Sequence, residues 1–131
     1  LKKLDDFIKI RRDNFKYLKN KLQSLNKFLI LPQPTKYSNP SWFGFPITVK
    51  KGINRNLLVK YLEKEGVGTR LLFAGNITKQ PYLTFYEHRV YKKLEISNII
   101  MNQTFWLGVH PSLNKKHLDK VALLLTQYFE K

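Results

Sequence analysis

The sequence predicts an α+β domain, in which helices cover, on one face, a small sheet of roughly three strands. Three observations carry this. Long stretches at both ends repeat apolar residues every three or four positions, the spacing of one helix face. Three short aromatic and β-branched runs between them read as strands. Gly, Pro and Asn stand where helices would be capped or stopped. With 131 residues, 43% hydrophobic and 14% aromatic, the chain has the length of one domain and enough apolar material for a core.

Residues 1–28 read as a long opening helix, with Leu4, Ile8, Phe15, Leu18, Leu22 and Leu25 on one face and Arg11 interrupting it. Its other face carries Lys2, Lys9, Arg12, Lys16 and Lys19. Such a helix is expected to leave Leu4, Phe7 and Ile8 for something outside the domain to cover. Pro32, Pro34 and Pro40 mark a loop, and residues 41–131 form the α/β sandwich. Residues 42–49 read as the first strand, at an edge or beginning only after Pro46, which has no N–H to give a ladder. Asn54 is a plausible N-cap of a second helix that Gly66 closes. Residues 68–73 look like a second strand and 104–109 like a third, with a short helix over 94–102 between them. The last helix covers 113–129, with Asn114 and Ser112 competing as its cap. The 18 residues 74–91 read as irregular, and a loop of that length in a compact domain is commonly functional.

The chain has no Cys, so it offers no disulfide, no thiolate metal site and no Cys nucleophile. That composition fits a reducing compartment, and a cytoplasmic location is expected. No apolar run is long enough to span a bilayer, and charge laces the first thirty residues, so neither a membrane span nor a signal peptide is expected. Lys and Arg number 24 against 9 Asp and Glu, for a net charge of +15. A chain so basic attracts anions, and a stand-alone nucleic-acid-binding module with an aromatic sheet face is one reading. The excess is mostly Lys beside many Asn, which the base composition of a gene can also produce. If Trp42, Phe43, Phe45, Phe105 and Trp106 face the helices, the nucleic-acid platform fails.

Searches for catalytic patterns come up empty. His88, His110 and His117 are scattered, and no phosphate loop, zinc motif or nucleophile elbow occurs. The segment from Gly66 to Asn76 stands out, because it places Arg70, Asn76 and permissive glycines at the two ends of a strand. Arg70 suits a phosphate or carboxylate, which its planar fork grips in two places, and it equally suits an ion pair with Glu63 or Glu65.

Three runs carry a resemblance. They are Ser41-Trp42-Phe43-Gly44-Phe45-Pro46-Ile47-Thr48, the stretch Gly68-Thr69-Arg70-Leu71-Leu72-Phe73-Ala74-Gly75-Asn76-Ile77-Thr78-Lys79-Gln80-Pro81, and Met101-Asn102-Gln103-Thr104-Phe105-Trp106-Leu107-Gly108-Val109. Together they resemble the C-terminal part of the sugar-nucleotide 3-dehydrases that act on CDP-4-keto-6-deoxyglucose in lipopolysaccharide and O-antigen synthesis. These belong to the DegT/StrS branch of the fold type I, pyridoxal phosphate (PLP)-dependent aminotransferase family. The resemblance covers nearly the whole chain, and the 68–81 run is its most specific part.

The resemblance implies a parent enzyme about three times longer, dimeric, whose N-terminal domain holds PLP or pyridoxamine phosphate (PMP) and in some members an iron–sulfur cluster. This piece would then be a single C-terminal small domain, 1–131, binding no cofactor and inactive alone. It would contribute dimer contacts and substrate contacts to a nucleotide sugar, the matching candidates being Arg70, Phe73, Asn76 and Arg89. No catalytic role falls on the three histidines, and for Trp42, Phe43, Phe105 and Trp106 core packing is the expectation. The chain departs from the family pattern at Asn98, where an acidic residue is usual, at His88, at Tyr91-Lys92, and at His110 and Ser112.

Overall fold

A computed structural model describes residues 2–130; Leu1, the first residue of the expected opening helix, lies outside them. The first helix, α1, spans Leu4–Lys21, with Asp5 and Asp6 in its first turn and Lys19 and Lys21 in its last, each sign suited to the helix dipole. It ends sooner than expected, and a 3-10 turn over Gln23–Lys27 takes over. That turn has three residues per repeat, so Leu22 and Leu25, three apart, both reach the core. The apolar spacing therefore runs on past the end of the α-helix.

The sheet has four strands rather than three: β1 (Leu29–Ile30), β2 (Gly44–Val49), β3 (Thr69–Leu71) and β4 (Thr104–Gly108), in the order β1-β2-β4-β3. All neighbours are antiparallel. β1 is too short to show a period of its own. Pairing alone reveals it, through Leu29 opposite Val49 and Ile30 opposite Thr48. Pro46 lies inside β2 rather than before it, opposite Trp106. β1 does not reach that far, so β2 has one neighbour at Pro46 and the missing N–H costs no ladder bond.

Alternation sorts the two faces. Phe45, Ile47 and Val49 of β2 and Phe105 and Leu107 of β4 are buried, and Phe45 lies opposite Leu107 and Ile47 opposite Phe105. Against them pack α1 through Phe15 and Leu18, α2 (Arg55–Lys64) through Leu58 and Leu62, and α4 (Lys115–Phe129) through Leu118 and Leu125. Each such side chain contributes about 1.5–3 kcal/mol by leaving water. These three helices cover one face, as expected. α3 (Glu95–Gln103) runs directly into β4 and buries no residue of its own.

The caps follow the sequence signals. Asn54 accepts from the N–H of Leu57, and Gly66 follows α2 at φ 79°. Asn114, not Ser112, caps α4: its side chain accepts from His117 N while His117 Nδ1 accepts from Asn114 N. The stretch 74–91 is less irregular than expected, holding 3-10 turns at Ile77–Lys79 and Pro81–Phe85.

Candidate functional site

Arg70 occupies the middle of β3, opposite Trp106 of β4, so it leaves the sheet on the face away from the helix-covered core. The side chain is exposed and Nη1 donates to the carbonyl of its neighbour Thr69 at 3.0 Å. Glu63, one of two expected ion-pair partners, instead accepts from Thr69 Oγ1 at 2.6 Å. The guanidinium thus keeps donors available for an anion.

After β3 the chain turns sharply. Phe73 takes a left-handed φ of 48°, unusual for an aromatic residue, and its side chain is 86% exposed. Gly75 follows at φ 65°, and a Cβ there would lie 2.5 Å from Met101 Cα and Cβ, so α3 and the turn touch backbone to backbone. Asn76 is buried and both ends of its amide are engaged. It accepts from Thr78 N and Thr78 Oγ1, at 3.0 and 2.7 Å, and donates to Asn98 Oδ1 at 2.8 Å. Asn76 therefore shapes the turn that displays Phe73. Arg89 is exposed on a separate stretch between the second 3-10 turn and α3.

Phe73 does not stand alone. With Trp42, Phe43, Gly44, Pro46, Leu72 and Trp106 it lines an open apolar hollow of about 200 Å³; Arg70, Asn76 and Arg89 do not. Gly44 has no side chain where the Trp106 ring lies, and Trp106 Nε1 donates to the carbonyl of Leu71 at 3.2 Å.

The expectation of core packing for four aromatics needs correcting at two of them. Phe105 is in the core and Trp42 stacks on Phe15 with ring centroids 4.4 Å apart. Phe43 is 71% exposed and Trp106 half-buried, their rings 5.1 Å apart on the opposite face. Alternation was the available signal for Trp106, which is out of phase with Phe105 and Leu107. Phe43 gave none, because it precedes the strand. The neighbouring cation is Arg11, 5.9 Å from the Phe43 ring, and it donates to the carbonyls of Trp42 and Phe43. A cation spent in this way on backbone, with no lysine lining the hollow, does not make the platform of aromatics beside lysines that a nucleic-acid reading requires.

Arg55 is a further residue that sequence reasoning passed over. Its guanidinium is buried at the start of α2, donates to the carbonyls of Thr104 and Met101 at 3.2 and 3.4 Å, and has its pKa lowered by burial. It ties the start of α2 to the junction of α3 and β4.

The histidines serve local turns. His110 Nδ1 contacts Ser112 Oγ at 2.8 Å, His117 closes the α4 cap, and His88 Nδ1 lies 2.9 Å from the Tyr86 carbonyl. Among the described residues, no three His, Asp or Glu side chains gather as a metal site, and no helix is long and apolar enough to cross a membrane.

The family described as "DegT/DnrJ/EryC1/StrS aminotransferase family" matches residues 1–126. The chain belongs to this family. Among DegT-family relatives, the lipopolysaccharide biosynthesis protein RfbH of Salmonella typhimurium is 49% identical over 98% of this chain. The dTDP-4-dehydro-2,6-dideoxy-D-glucose 3-dehydratase of Saccharopolyspora spinosa is 39% identical over the whole chain. This chain spans only 30% and 29% of their lengths. A crystal structure of GDP-4-keto-6-deoxymannose-3-dehydratase with bound GDP-perosamine superposes with a TM-score of 0.85 at 28% identity, covering 95% of this chain and 32% of that one. The fold is thus that of one part of these PLP-dependent enzymes, as the resemblance implied.

Proposed function

We propose that this chain works as the C-terminal small domain of a DegT-family nucleotide-sugar enzyme, a 3-dehydratase or an aminotransferase relative, in deoxysugar and O-antigen synthesis. The observation that carries this reading is the 49% identity to a lipopolysaccharide biosynthesis protein along almost the entire chain. The dehydratase names of further relatives agree with it.

The residues present do not fit a PLP site of their own. The three histidines are committed to local turns. With no Cys, the chain supplies no ligand to an iron–sulfur cluster either. Both groups therefore fall to an N-terminal cofactor domain, in a homodimer acting in the cytoplasm. This domain's part is binding. Arg70 forks onto the diphosphate of the nucleotide sugar, and Arg89 adds a second cation from its own segment. Phe73 presents an apolar wall, and Asn76 holds the turn that places it.

The test is a chimera in which this chain replaces the matched segment of the Salmonella relative. With the cofactor supplied, it should remove the 3-hydroxyl of CDP-4-keto-6-deoxyglucose, followed by NMR. A folded, cofactor-loaded chimera that leaves both this sugar and its GDP and dTDP counterparts unchanged in dehydration and transamination assays would refute the reading.

A further inference from the structure

We infer that Arg55 is a positioning residue of the substrate site, seating α3 and through it the turn that displays Phe73; the inference rests on the functional reading above. Arg55 opens α2 and is buried, with Nη1 on the Thr104 carbonyl and Nη2 on the Met101 carbonyl. Among the described residues no carboxylate pairs with it, and its Nε is buried without a partner. A charge taken out of water without a counter-ion is costly, and an apolar residue of similar volume would serve plain packing better. What Arg55 supplies in return is a hold on two carbonyls.

Three observations say what that hold is for. The first is that α3 has little else to seat it. It buries no residue of its own, leaves Ile96 69% exposed, and has no basic side chain in its last turn. The Met101 carbonyl lies in that last turn, where carbonyls lack partners within the helix. Arg55 brings it both a donor and the cation that a helix C-terminus favours. The second is what leans on α3. A Cβ at Gly75 would stand 2.5 Å from Met101 Cα, and Asn76 donates to Asn98 in the middle of the helix. β3 holds one end of the Phe73 turn and α3 the other, while the stretch that carries Arg89 runs into the start of α3. The third is reach. The two carbonyls belong to different elements, α3 and β4, and a planar fork grips both at once. A lysine ends short of them and brings a single nitrogen. Arg55 does not line the hollow that Phe73 lines, so it acts through α3 and not by contact.

Steady-state kinetics and amide hydrogen exchange of the same chimera with the Salmonella relative make the test. Arg55→Lys should raise KM for CDP-4-keto-6-deoxyglucose about fivefold or more and leave kcat within about twofold, because a displaced Phe73 weakens binding and not the chemical step. Backbone amides of 73–78 and 95–103 should exchange about tenfold faster, and those of α4 at the parent rate. Arg55→Gln removes the buried charge and keeps a donor; it should give the same split, and it decides the matter where the lysine variant fails to fold. Gly66→Ala, at the other end of α2 with φ 79°, should lower the unfolding temperature without changing KM or exchange in α3. A merely structural role would make the Arg55 variants behave as Gly66→Ala does, and that result would overturn the inference. A KM that holds in an active chimera would overturn it too, and would leave the functional reading standing. A parent chimera without sugar chemistry would remove the functional reading, and exchange would then decide for Arg55 alone: loosened segments uphold its seating of α3, and parent rates overturn it.

Discussion

Asn76 and Asn98 are joined by a 2.8 Å hydrogen bond between side-chain amides, which fastens the turn after β3 to the middle of α3. Asn98 stands where the resemblance leads one to expect an acidic residue, and in this pair it is the acceptor. An acidic side chain would accept the same bond, so the departure conserves the contact.

Removing the donor is therefore expected to hurt and changing the acceptor is not. Asn76→Ala should lower stability by about 1–3 kcal/mol, because the half-buried Thr78 N and Oγ1 lose their acceptor. Asn98→Asp should stay within about 0.5 kcal/mol of the parent. Urea unfolding of the two variants checks this. Equal losses would mean that aspartate at this position does not keep the contact.

Gly75 and Gly52 separate two reasons for needing glycine. Both have positive φ, 65° and 90°, but a Cβ at Gly52 meets nothing within 4 Å while one at Gly75 runs into Met101. Gly52→Ala should cost about 1 kcal/mol from backbone strain alone. Gly75→Ala should cost about 2–4 kcal/mol, adding the displacement of α3. Thermal unfolding of the pair is the measurement, and a smaller loss at Gly75 would contradict the close approach.

Asp119 links α4 to α1 by accepting from Lys21 Nζ at 2.9 Å and Tyr17 Oη at 2.8 Å. The hydrogen bond from Lys21, followed by that from Tyr17, holds the Asp119 carboxyl below its ordinary value of 3.8. A carboxyl depressed on folding adds stability above its unfolded pKa and loses it as pH falls through the folded one. Asp119→Asn should accordingly flatten the acid limb of the stability curve below about pH 4. The same contact, chiefly the Asp119 hydrogen bond, raises Lys21 above its ordinary 10.5, so that contribution fades only as pH climbs past the raised value. Both groups are solvent-exposed, so the effects should shrink in high salt. Urea midpoints between pH 2 and 6, at low and high salt, test the acid limb.

In the proposed full-length enzyme, Arg70→Lys should lower kcat/KM by about tenfold or more, because an ammonium cannot reproduce the planar fork on a phosphate. Lys116→Met, at an exposed position of α4, should leave kcat/KM near the parent value. Unchanged unfolding temperatures in both would show that the loss belongs to substrate and not to folding. Full activity in Arg70→Lys would remove Arg70 from the site.

How much was legible depended on whether the signal was local. The caps at Asn54 and Asn114 and the buried faces of α1 and α4 follow from residues a few positions apart, and they could be read directly. β1 could not, since two residues have no period and only pairing with Val49 and Thr48 makes Leu29 and Ile30 a strand. Arg11 read as a fault in an apolar face because its partners, the carbonyls of Trp42 and Phe43, lie a whole loop away. For the candidate site, Arg70 and Phe73 could be picked out from a family pattern. The role of Asn76 as an internal brace rather than a displayed donor could not, since Asn98 lies beyond the entire 3-10 stretch. Phe43 reads as core in the sequence because nothing local shows that the chain bends before β2.

The strand order β1-β2-β4-β3 also bears on how the chain is made. The central ladder sets Gly44 against Gly108 and Phe45 against Leu107, partners from opposite halves of the sequence. A ribosome releases β2 early, then α2, β3 and α3, and only afterwards the strand that completes the middle of the sheet. At roughly 5–20 residues per second, β2 waits on the order of seconds for its neighbour. During that interval Phe45 and Ile47 have no cross-strand cover. Translation halted before Thr104 would release a chain in which β2 has only the two residues of β1 beside it, a natural target for chaperones and proteases.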